Sequence, residues 1–271
     1  MEANPDATIL AGATDVGLWV TKQDRVLPTV ISISEVPELK AIEDLGDRIR
    51  IGAGVRYAEA EGALTVLHPE FGELLRRLGG RQVRNAGTVC GNIANGSPIG
   101  DMPPALIAAG ATLHLRKGGE TRSLPLEAYF LAYGKQDRRP GEFVEAVEVR
   151  KPDPASVFRI YKLSKRFEQD ISAVCAGVHV TLKDGRVTEA RLAFGGMAAT
   201  PKRAAAAEGA LAGEPWTEAT VREAMAALAS DFAPIDDMRA SAAYRLQAAR
   251  NLLLRAFLET AQVMTLEPVD G

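Results

Sequence analysis

The segment from Gln82 to Asp101 carries the residues of this chain whose types are best suited to binding a ligand. It is poor in large apolar side chains and rich in Gly, Asn, Ser and Thr, which argues against both core packing and an ordinary helix. Small residues let a backbone approach a ligand closely, and Thr, Asn, Ser and Asp supply donors and acceptors. Ordered loops of this length without a function are uncommon, so we expect a binding loop around a polar, extended ligand. The alternative is a plain surface loop.

A second segment, near the amino terminus, has the composition of a phosphate-binding turn. The predicted order is strand, tight turn and helix, over Thr8 to Ala11, Gly12 to Asp15 and Val16 to Lys22. Thr14 or Asp15 is the predicted helix cap. Such a turn offers free backbone N–H groups at the positive end of a helix dipole, which suits a pyrophosphate. Many purely structural turns share this composition, and neither a GxGxxG nor a GxxxxGK[ST] pattern is present in the segment.

Composition excludes several function classes. The 271 residues are 46% hydrophobic and 25% charged, which allows a sizeable core and two or three subdomains. With 32 basic and 35 acidic residues the formal net charge is -3, so no basic field indicates nucleic-acid binding. No apolar stretch is long enough to span a bilayer, and the first six residues are not a signal sequence. We therefore expect a cytoplasmic location.

The cysteines and histidines do not form a metal-binding pattern. Cys90 and Cys175 are the only cysteines of the sequence, and two thiols cannot supply the four ligands of an ordinary 2Fe–2S cluster. A disulfide is not expected in a reducing cytoplasm, and Cys175 lies in an apolar run that predicts a core residue. His68, His114 and His179 lack metal-ligand spacing, so we expect no metal site in this chain.

The remaining pattern predicts an α+β protein in two parts. In the first part, the predicted strands are Ile31 to Ile33, Arg48 to Val55 and Thr112 to Arg116. The predicted helices are Tyr57 to Leu67, Phe71 to Leu78 and Pro103 to Ala109. In the second, the predicted elements are a hairpin of Val174 to Leu182 and Val187 to Phe194 around Asp184-Gly185, and helices over Glu218 to Ser230 and Ser241 to Thr260. We expect the second part to pack on the first.

Four motifs occur in the order in which a known family has them: Ile9 to Val16, Thr88 to Asp101, Tyr161 to Ala173 and Phe194 to Ala204. Together they resemble the FAD-binding part of the molybdenum hydroxylases, with most similarity to the small, flavin-carrying subunit of bacterial xanthine dehydrogenase. The resemblance covers nearly the whole chain. It implies an FAD-binding domain of two subdomains over residues 1–155. A flavoprotein carboxy-terminal α+β domain with a small antiparallel sheet would follow over residues 156–271.

The resemblance assigns FAD contacts to both polar segments and to three residues outside them. Backbone N–H groups of the first segment would bind the FAD pyrophosphate, and the start of the second would contribute to the same cofactor. The implied cofactor-binding residues are Ile9, Leu10, Ala11, Gly12, Ala13, Thr14, Asp15, Val16, Leu78, Thr88, Val89, Cys90, Gly91, Asn92, Asp101, Val144 and Lys162. No catalytic side chain is implied.

Several of these residues also have a plain structural interpretation. Asp101 suits a cofactor hydroxyl and equally suits the cap of the following helix. Leu78 and Val144 match apolar cofactor contacts but would look the same as core residues. Lys162 matches a family lysine close to the flavin, where a cation stabilises negative charge on the reduced ring; most strand lysines are merely solvated. In the family, the loop that corresponds to Ser164 to Asp170 lies beside the flavin and influences access by NAD. The alternative interpretation is a charged surface turn.

Two positions depart from the wider family pattern. Ala13 replaces the second glycine of the amino-terminal turn, and Cys90 replaces the first glycine of a paired-glycine loop. A positive φ at Cys90 would cost about 1 kcal/mol. Neither change removes a backbone N–H group, so we expect the phosphate-binding arrangement to persist with a weaker affinity.

The resemblance implies a role in electron transfer. In the xanthine dehydrogenases that the chain resembles, a purine is oxidised at a molybdenum centre on another subunit, and electrons pass through iron–sulfur clusters to FAD, which reduces NAD⁺. The implied partners are the molybdenum-cofactor subunit and the 2Fe–2S domain of the same complex, with NAD as acceptor. We expect the family's iron–sulfur domain, and the opening strand and helix of its first βαβ unit, to be missing here. The alternatives are an unrelated flavin oxidoreductase of similar fold and a non-catalytic flavin module that serves complex assembly.

Overall fold

The computed structural model describes residue 1, residues 3–167 and residues 169–260. Within these ranges the buried apolar side chains form two hydrophobic cores, one built mainly from residues before position 150 and the other from residues after position 156. Helices and sheets contribute to both cores. The expected α+β class is therefore confirmed.

The first part contains a five-stranded antiparallel sheet, a short parallel strand pair and helices packed on them. Its elements are β1 (Thr8–Leu10), α1 (Val16–Gln23), β2 (Val30–Ser32), β3 (Ile42–Asp44), β4 (Arg48–Gly52), α2 (Tyr57–Leu67), α3 (Pro69–Arg77), α4 (Arg81–Ala86), α5 (Val89–Asn95), α6 (Met102–Ala108), β5 (Thr112–Lys117), β6 (Glu120–Pro125), β7 (Phe130–Ala132), β8 (Lys135–Gln136) and β9 (Phe143–Arg150). The five-stranded sheet has the order β3-β4-β9-β5-β6, and β1 pairs in parallel with β2. Because parallel neighbours need a crossover, α1 connects them.

The second part is an antiparallel sheet covered by three helices. Its elements are β10 (Val157–Leu163), β11 (Val174–Lys183), β12 (Arg186–Gly195), β13 (Lys202–Arg203), α7 (Ala205–Leu211), α8 (Glu218–Asp231) and α9 (Ala242–Thr260), and the strands follow that order in the sheet. Asp184 and Gly185 join β11 to β12 with φ angles of 52° and 73°. A turn with two positive φ angles is the hairpin type that an Asp-Gly pair predicts.

The sheet of the second part is buried on both faces, because its side chains alternate between the two cores. On β10, Phe158 and Ile160 belong to the first core, whereas Val157 and Tyr161 belong to the second. The period of two is the ordinary strand pattern. The shared sheet fixes the two parts against each other, and β11 lies directly against α6 at Gly177.

The polar segment from Gln82 to Asp101 is not the continuous loop that its composition predicts, since α4 and α5 lie within it. The hydroxyl of Thr88 accepts a 3.0 Å hydrogen bond from the Gly91 N–H and caps the start of α5. At the other end, Gly96 ends α5 with a φ of 64°. The two caps allow a short helix despite the Gly and Asn content, because they satisfy backbone groups that would otherwise lack partners.

Within the described part of the chain, no helix is both long and apolar enough to cross a membrane. The same residues bring together no group of three His, Cys, Asp or Glu side chains that could hold a metal ion. Cys90 and Cys175 are buried free thiols. Burial raises the pKa of Cys90 to about 12, so this thiol is protonated at neutral pH.

Replacing Gly177 by alanine is expected to destabilise the protein by about 1–3 kcal/mol, since overpacking forces the backbone to shift. A Cβ there would lie 2.6 Å from the Pro104 carbonyl oxygen and 2.7 Å from the Ala108 Cβ. Urea unfolding measures the change. The matched control is Gly209→Ala in α7, where a Cβ meets nothing within 4 Å and stability should rise by up to about 1 kcal/mol. Equal effects of the two variants would contradict the close packing of α6 on β11.

Candidate functional site

The two polar segments come together at one cleft of about 280 Å³. The turn between β1 and α1 forms one wall, the beginning of α5 forms another, and β9 contributes to the floor. Of the residues predicted to bind a cofactor, Ile9, Ala11, Gly12, Ala13, Thr14, Asp15, Val16, Thr88, Cys90, Gly91, Asn92 and Val144 line this cleft. The structure thus brings residues from three separate parts of the sequence to one place.

The turn between β1 and α1 presents backbone N–H groups that the protein does not use. Among the described residues, none accepts a hydrogen bond from the N–H groups of Gly12, Ala13, Thr14 or Asp15. Ala13 adopts a φ of 60°, a left-handed conformation that costs a side-chain-bearing residue of order 1 kcal/mol. Free N–H groups at the beginning of a helix are suited to a phosphate group. The arrangement therefore fits the pyrophosphate predicted for it.

Gly12 allows the two segments to touch. A Cβ at this position would overlap the carbonyl oxygen of Ala86 and lie 2.8 Å from the Gly87 Cα. The backbone of the turn therefore lies directly against the end of α4, just before Thr88 caps α5. A larger residue would push the turn away from α5 and widen the cleft.

Residues at the beginning of α5 form the opposite wall. Cys90 lies inside α5, so it needs no positive φ, and the strain considered for this substitution does not arise. Its thiol is directed into the core, with Sγ 3.6 Å from the Ile51 carbonyl oxygen. The Oδ1 atom of Asn92 is buried and has no hydrogen-bond partner among the described residues. Buried acceptors rarely remain unpaired, so this atom fits the hydrogen-bond donor of a ligand in the cleft.

The electrostatics of the cleft involve Asp15 and one arginine. Asp15 occupies the cap position of α1 but makes no side-chain cap bond. Although the residue is exposed, the cleft walls desolvate its carboxyl group and raise its pKa, while a hydrogen bond from Asn95 acts in the opposite direction. Arg138, from the loop after β8, also lines the cleft.

Arg138 and several aromatic side chains of the cleft lie outside the motifs recognised in the sequence. Trp19, Tyr57 and Tyr129 line the cleft as well. Each comes from an element with an independent structural role, such as Tyr57 at the beginning of α2. Their local sequence carries no signal of a ligand, because only the folded chain places them around the two segments.

Asp101 and Lys162 form a buried ion pair outside the walls of the cleft. The Lys162 Nζ lies 2.5 Å from Asp101 Oδ2 and 3.0 Å from the Ser172 hydroxyl oxygen, and that hydroxyl donates to Asp101 Oδ1 at 2.5 Å. Asp101 precedes α6 but makes no cap bond with its side chain. Its role in this structure is therefore to join α6 to β10 rather than to cap α6.

Three further predicted residues, Leu10, Leu78 and Val89, are not among the residues lining the cleft. Leu78 and Val89 belong to the first core, which matches the alternative interpretation given for Leu78. The cofactor contacts of these residues, of Asp101 and Lys162, and of the predicted residues that line the cleft all remain predictions.

The loop after β10 is held against α3 by Arg77. This guanidinium donates to the Lys162 carbonyl at 2.5 Å, to the Phe167 carbonyl at 3.3 Å and to the Ser164 hydroxyl at 3.4 Å. The guanidinium groups of Arg76 and Arg77 also lie 4.8 Å and 5.1 Å from the centre of the Phe167 ring. Residue 168 of the loop lies outside the described residues. The described part of the loop is thus fixed next to the Asp101–Lys162 pair.

Comparison with protein families gives two matches in chain order. Residues 1–152 match the family described as FAD binding domain in molybdopterin dehydrogenase. Residues 159–260 match the CO dehydrogenase flavoprotein C-terminal domain. The chain therefore belongs to the FAD-binding flavoproteins of the molybdenum hydroxylases, and the predicted cofactor, FAD, is confirmed.

Individual relatives include several members of that family. The nicotinate hydroxylase of Emericella nidulans is 32% identical over 97% of this chain and 21% of its own length. The xanthine dehydrogenase/oxidase of Gallus gallus is 30% identical over 84% of this chain and 18% of its own length. This chain thus spans about a fifth of the curated relatives it matches. A carbon monoxide dehydrogenase chain from Hydrogenophaga pseudoflava has a TM-score of 0.88 at 28% identity, covering 95% of this chain and 90% of that one.

Replacing Gly12 by alanine is expected to weaken FAD binding by about tenfold or more, because the turn must move away from α4. Fluorescence quenching of FAD titrated with the apoprotein measures the dissociation constant. Gly17→Ala, at the beginning of α1, is the matched control, since a Cβ there meets nothing within 4 Å. An unchanged affinity in Gly12→Ala would refute the role of this turn.

Replacing Lys162 by methionine is expected to lower the free energy of unfolding by roughly 3–5 kcal/mol, because the buried Asp101 carboxylate loses its cation. The double variant Asp101→Asn, Lys162→Met should recover part of this loss. Urea unfolding measures both. The exposed Lys183→Met serves as control, with a change within about 0.5 kcal/mol. A loss in Lys162→Met no larger than that of the control would show that the pair is not structural.

Proposed function

We propose that this chain is the FAD-carrying electron-transfer component of a molybdenum hydroxylase, and that the complex is a xanthine dehydrogenase. In this proposal the chain receives electrons from iron–sulfur clusters and delivers them to NAD⁺. The observation that supports it most directly is the cleft in which the unused N–H groups of Gly12 to Asp15 face the beginning of α5. Bound FAD supplies the electron and hydride transfer.

The residues of the chain would bind and orient the cofactor. The N–H groups of the β1–α1 turn would hold the pyrophosphate, and Asn92 Oδ1 would accept a hydrogen bond from the ligand. Lys162, kept in place by Asp101 and Ser172, would provide a fixed positive charge close to the flavin. The proposal assigns these tasks to an FAD-binding domain over residues 1–155 and places the flavoprotein carboxy-terminal domain over residues 156–271.

The proposed acceptor and partners rest on the family resemblance. The loop anchored by Arg77 is the segment that would influence access by NAD⁺, since it is fixed beside the Asp101–Lys162 pair. A molybdenum-cofactor subunit and a 2Fe–2S domain would complete the complex in the cytoplasm. Relatives named for xanthine and nicotinate favour a nitrogen-containing aromatic substrate, oxidised on the molybdenum subunit.

An absorption titration tests the proposal. The purified chain, supplied with FAD, is expected to show protein-bound flavin bands that bleach when NADH is added without oxygen. Free FAD under the same conditions is the control for reduction in solution. Bound flavin that NADH does not reduce would overturn the assignment of NAD⁺ as acceptor. A chain that binds no FAD would favour the alternative of an assembly module without catalysis.

The identity of the complex needs a separate experiment. The chain should co-purify with a molybdenum-containing subunit from its native cells, and that complex should reduce NAD⁺ with xanthine. Nicotinate and carbon monoxide, offered to the same preparation, are the competing substrates. Activity with one of these and not with xanthine would keep the electron-transfer role and refute the xanthine assignment.

A further inference from the structure

One charged residue of the cleft, Arg138, matches none of the four sequence motifs. Among the described residues that line the cleft, it is the one lysine or arginine, while Asp6 and Asp15 contribute carboxyl groups. The pyrophosphate of FAD carries two negative charges, which backbone N–H groups stabilise only through partial charges. We propose that Arg138 is the side chain that neutralises the cofactor pyrophosphate. This inference rests on FAD binding in this cleft.

The backbone on either side of Arg138 is fixed by short hydrogen bonds. The Asp137 N–H donates to the Tyr129 carbonyl at 2.8 Å, and the Arg138 N–H donates to the Gln136 carbonyl at 2.9 Å. Further along, the Glu142 N–H donates to the Arg139 carbonyl at 3.0 Å. The backbone at Arg138 is therefore held in place by hydrogen bonds, although the residue is exposed.

The acidic groups nearest in sequence are already paired with another arginine. The buried carboxylate of Glu142 accepts from Arg122 Nε at 2.7 Å and Nη2 at 2.8 Å, and from the Arg139 N–H at 2.7 Å. The Asp137 carboxylate accepts from Arg122 Nη1 at 3.1 Å. Hydrogen bonding to Arg122 also lowers the pKa of Glu142, so this carboxylate stays charged and keeps Arg122 in place.

Since Arg122 binds the carboxylates of both Glu142 and Asp137, the guanidinium of Arg138 has no acidic partner among the described residues. Its hydrogen bond there is from Nη1 to the Glu142 carbonyl, at 3.3 Å. A guanidinium has five N–H donors in a planar fork that suits phosphate oxygens. Arg138 thus combines three properties: hydrogen bonds hold its backbone, its guanidinium has unused donors, and it lines a cleft proposed for a dianion. This combination supports the inference.

Arg139 is a natural control. It is the neighbouring residue, has the same charge and is exposed, but it does not line the cleft. Replacing either arginine by glutamine changes the net charge equally. Any difference between Arg138→Gln and Arg139→Gln therefore reports the position of the charge and not its presence on the protein surface.

The test measures calorimetric binding of FAD, ADP and adenosine to the full chain in its apo form, at two salt concentrations. Arg138→Gln is expected to raise the dissociation constants for FAD and ADP by about tenfold or more, since a charge-assisted contact is lost. Adenosine, which lacks phosphates, should bind with an unchanged constant. Arg138→Lys should recover part of the affinity, and the loss should shrink at high salt.

Three outcomes would overturn the inference. Arg138→Gln could bind ADP as tightly as the wild-type chain. Arg138→Gln could instead weaken adenosine binding as much as ADP binding, which would place the arginine against the adenine ring. Equal losses in both variants would indicate a general charge effect. Wild-type chain that binds no FAD would instead refute the proposed function of the cleft, which keeps the two failures distinguishable. Matching thermal unfolding curves verify that each variant is folded.

Discussion

The cleft depends on one steric constraint, the contact between the backbone at Gly12 and the end of α4. Because Gly12 has no Cβ, the turn after β1 lies against Ala86 and Gly87, and this places its free N–H groups opposite the beginning of α5. Each segment alone has the composition of many structural turns. Their contact brings two weak signals, far apart in the sequence, together in one cleft, with free N–H groups on one wall and Asn92, whose Oδ1 has no partner among the described residues, on the other.

Two groups of charged side chains pair internally, and one arginine of the cleft is left without an acidic partner among the described residues. Asp101, Lys162 and Ser172 satisfy one another where α6 meets β10. Arg122 donates hydrogen bonds to the carboxylates of Glu142 and Asp137. The neighbouring Arg138 has no acidic partner among the residues described. Lys162 and Arg122 are therefore held by carboxylates of the protein, and Arg138 is a cation available for the proposed contact with the cofactor.

Local sequence patterns predict much of the fold. The helix expected over Tyr57 to Leu67 has those bounds, and the Asp184-Gly185 turn joins the two strands predicted around it. Composition was misleading between Gln82 and Asp101, where the caps at Thr88 and Gly96 permit α5. The motif residues of the cleft were found because they are contiguous in sequence. Arg138, Tyr57 and Trp19 were missed because their place in the cleft is decided by tertiary packing, which leaves no local pattern.

The antiparallel sheet of β10 to β13 has a consequence for how the molecule unfolds. One of its faces completes the core of the first part and the other completes the core of the second. Detaching either part would expose a full apolar face of a sheet to water, so neither has a low-energy partly folded state. We therefore expect the boundary between the two family matches not to separate two unfolding units, so that the described part of the chain unfolds in one calorimetric transition whose enthalpy includes both cores.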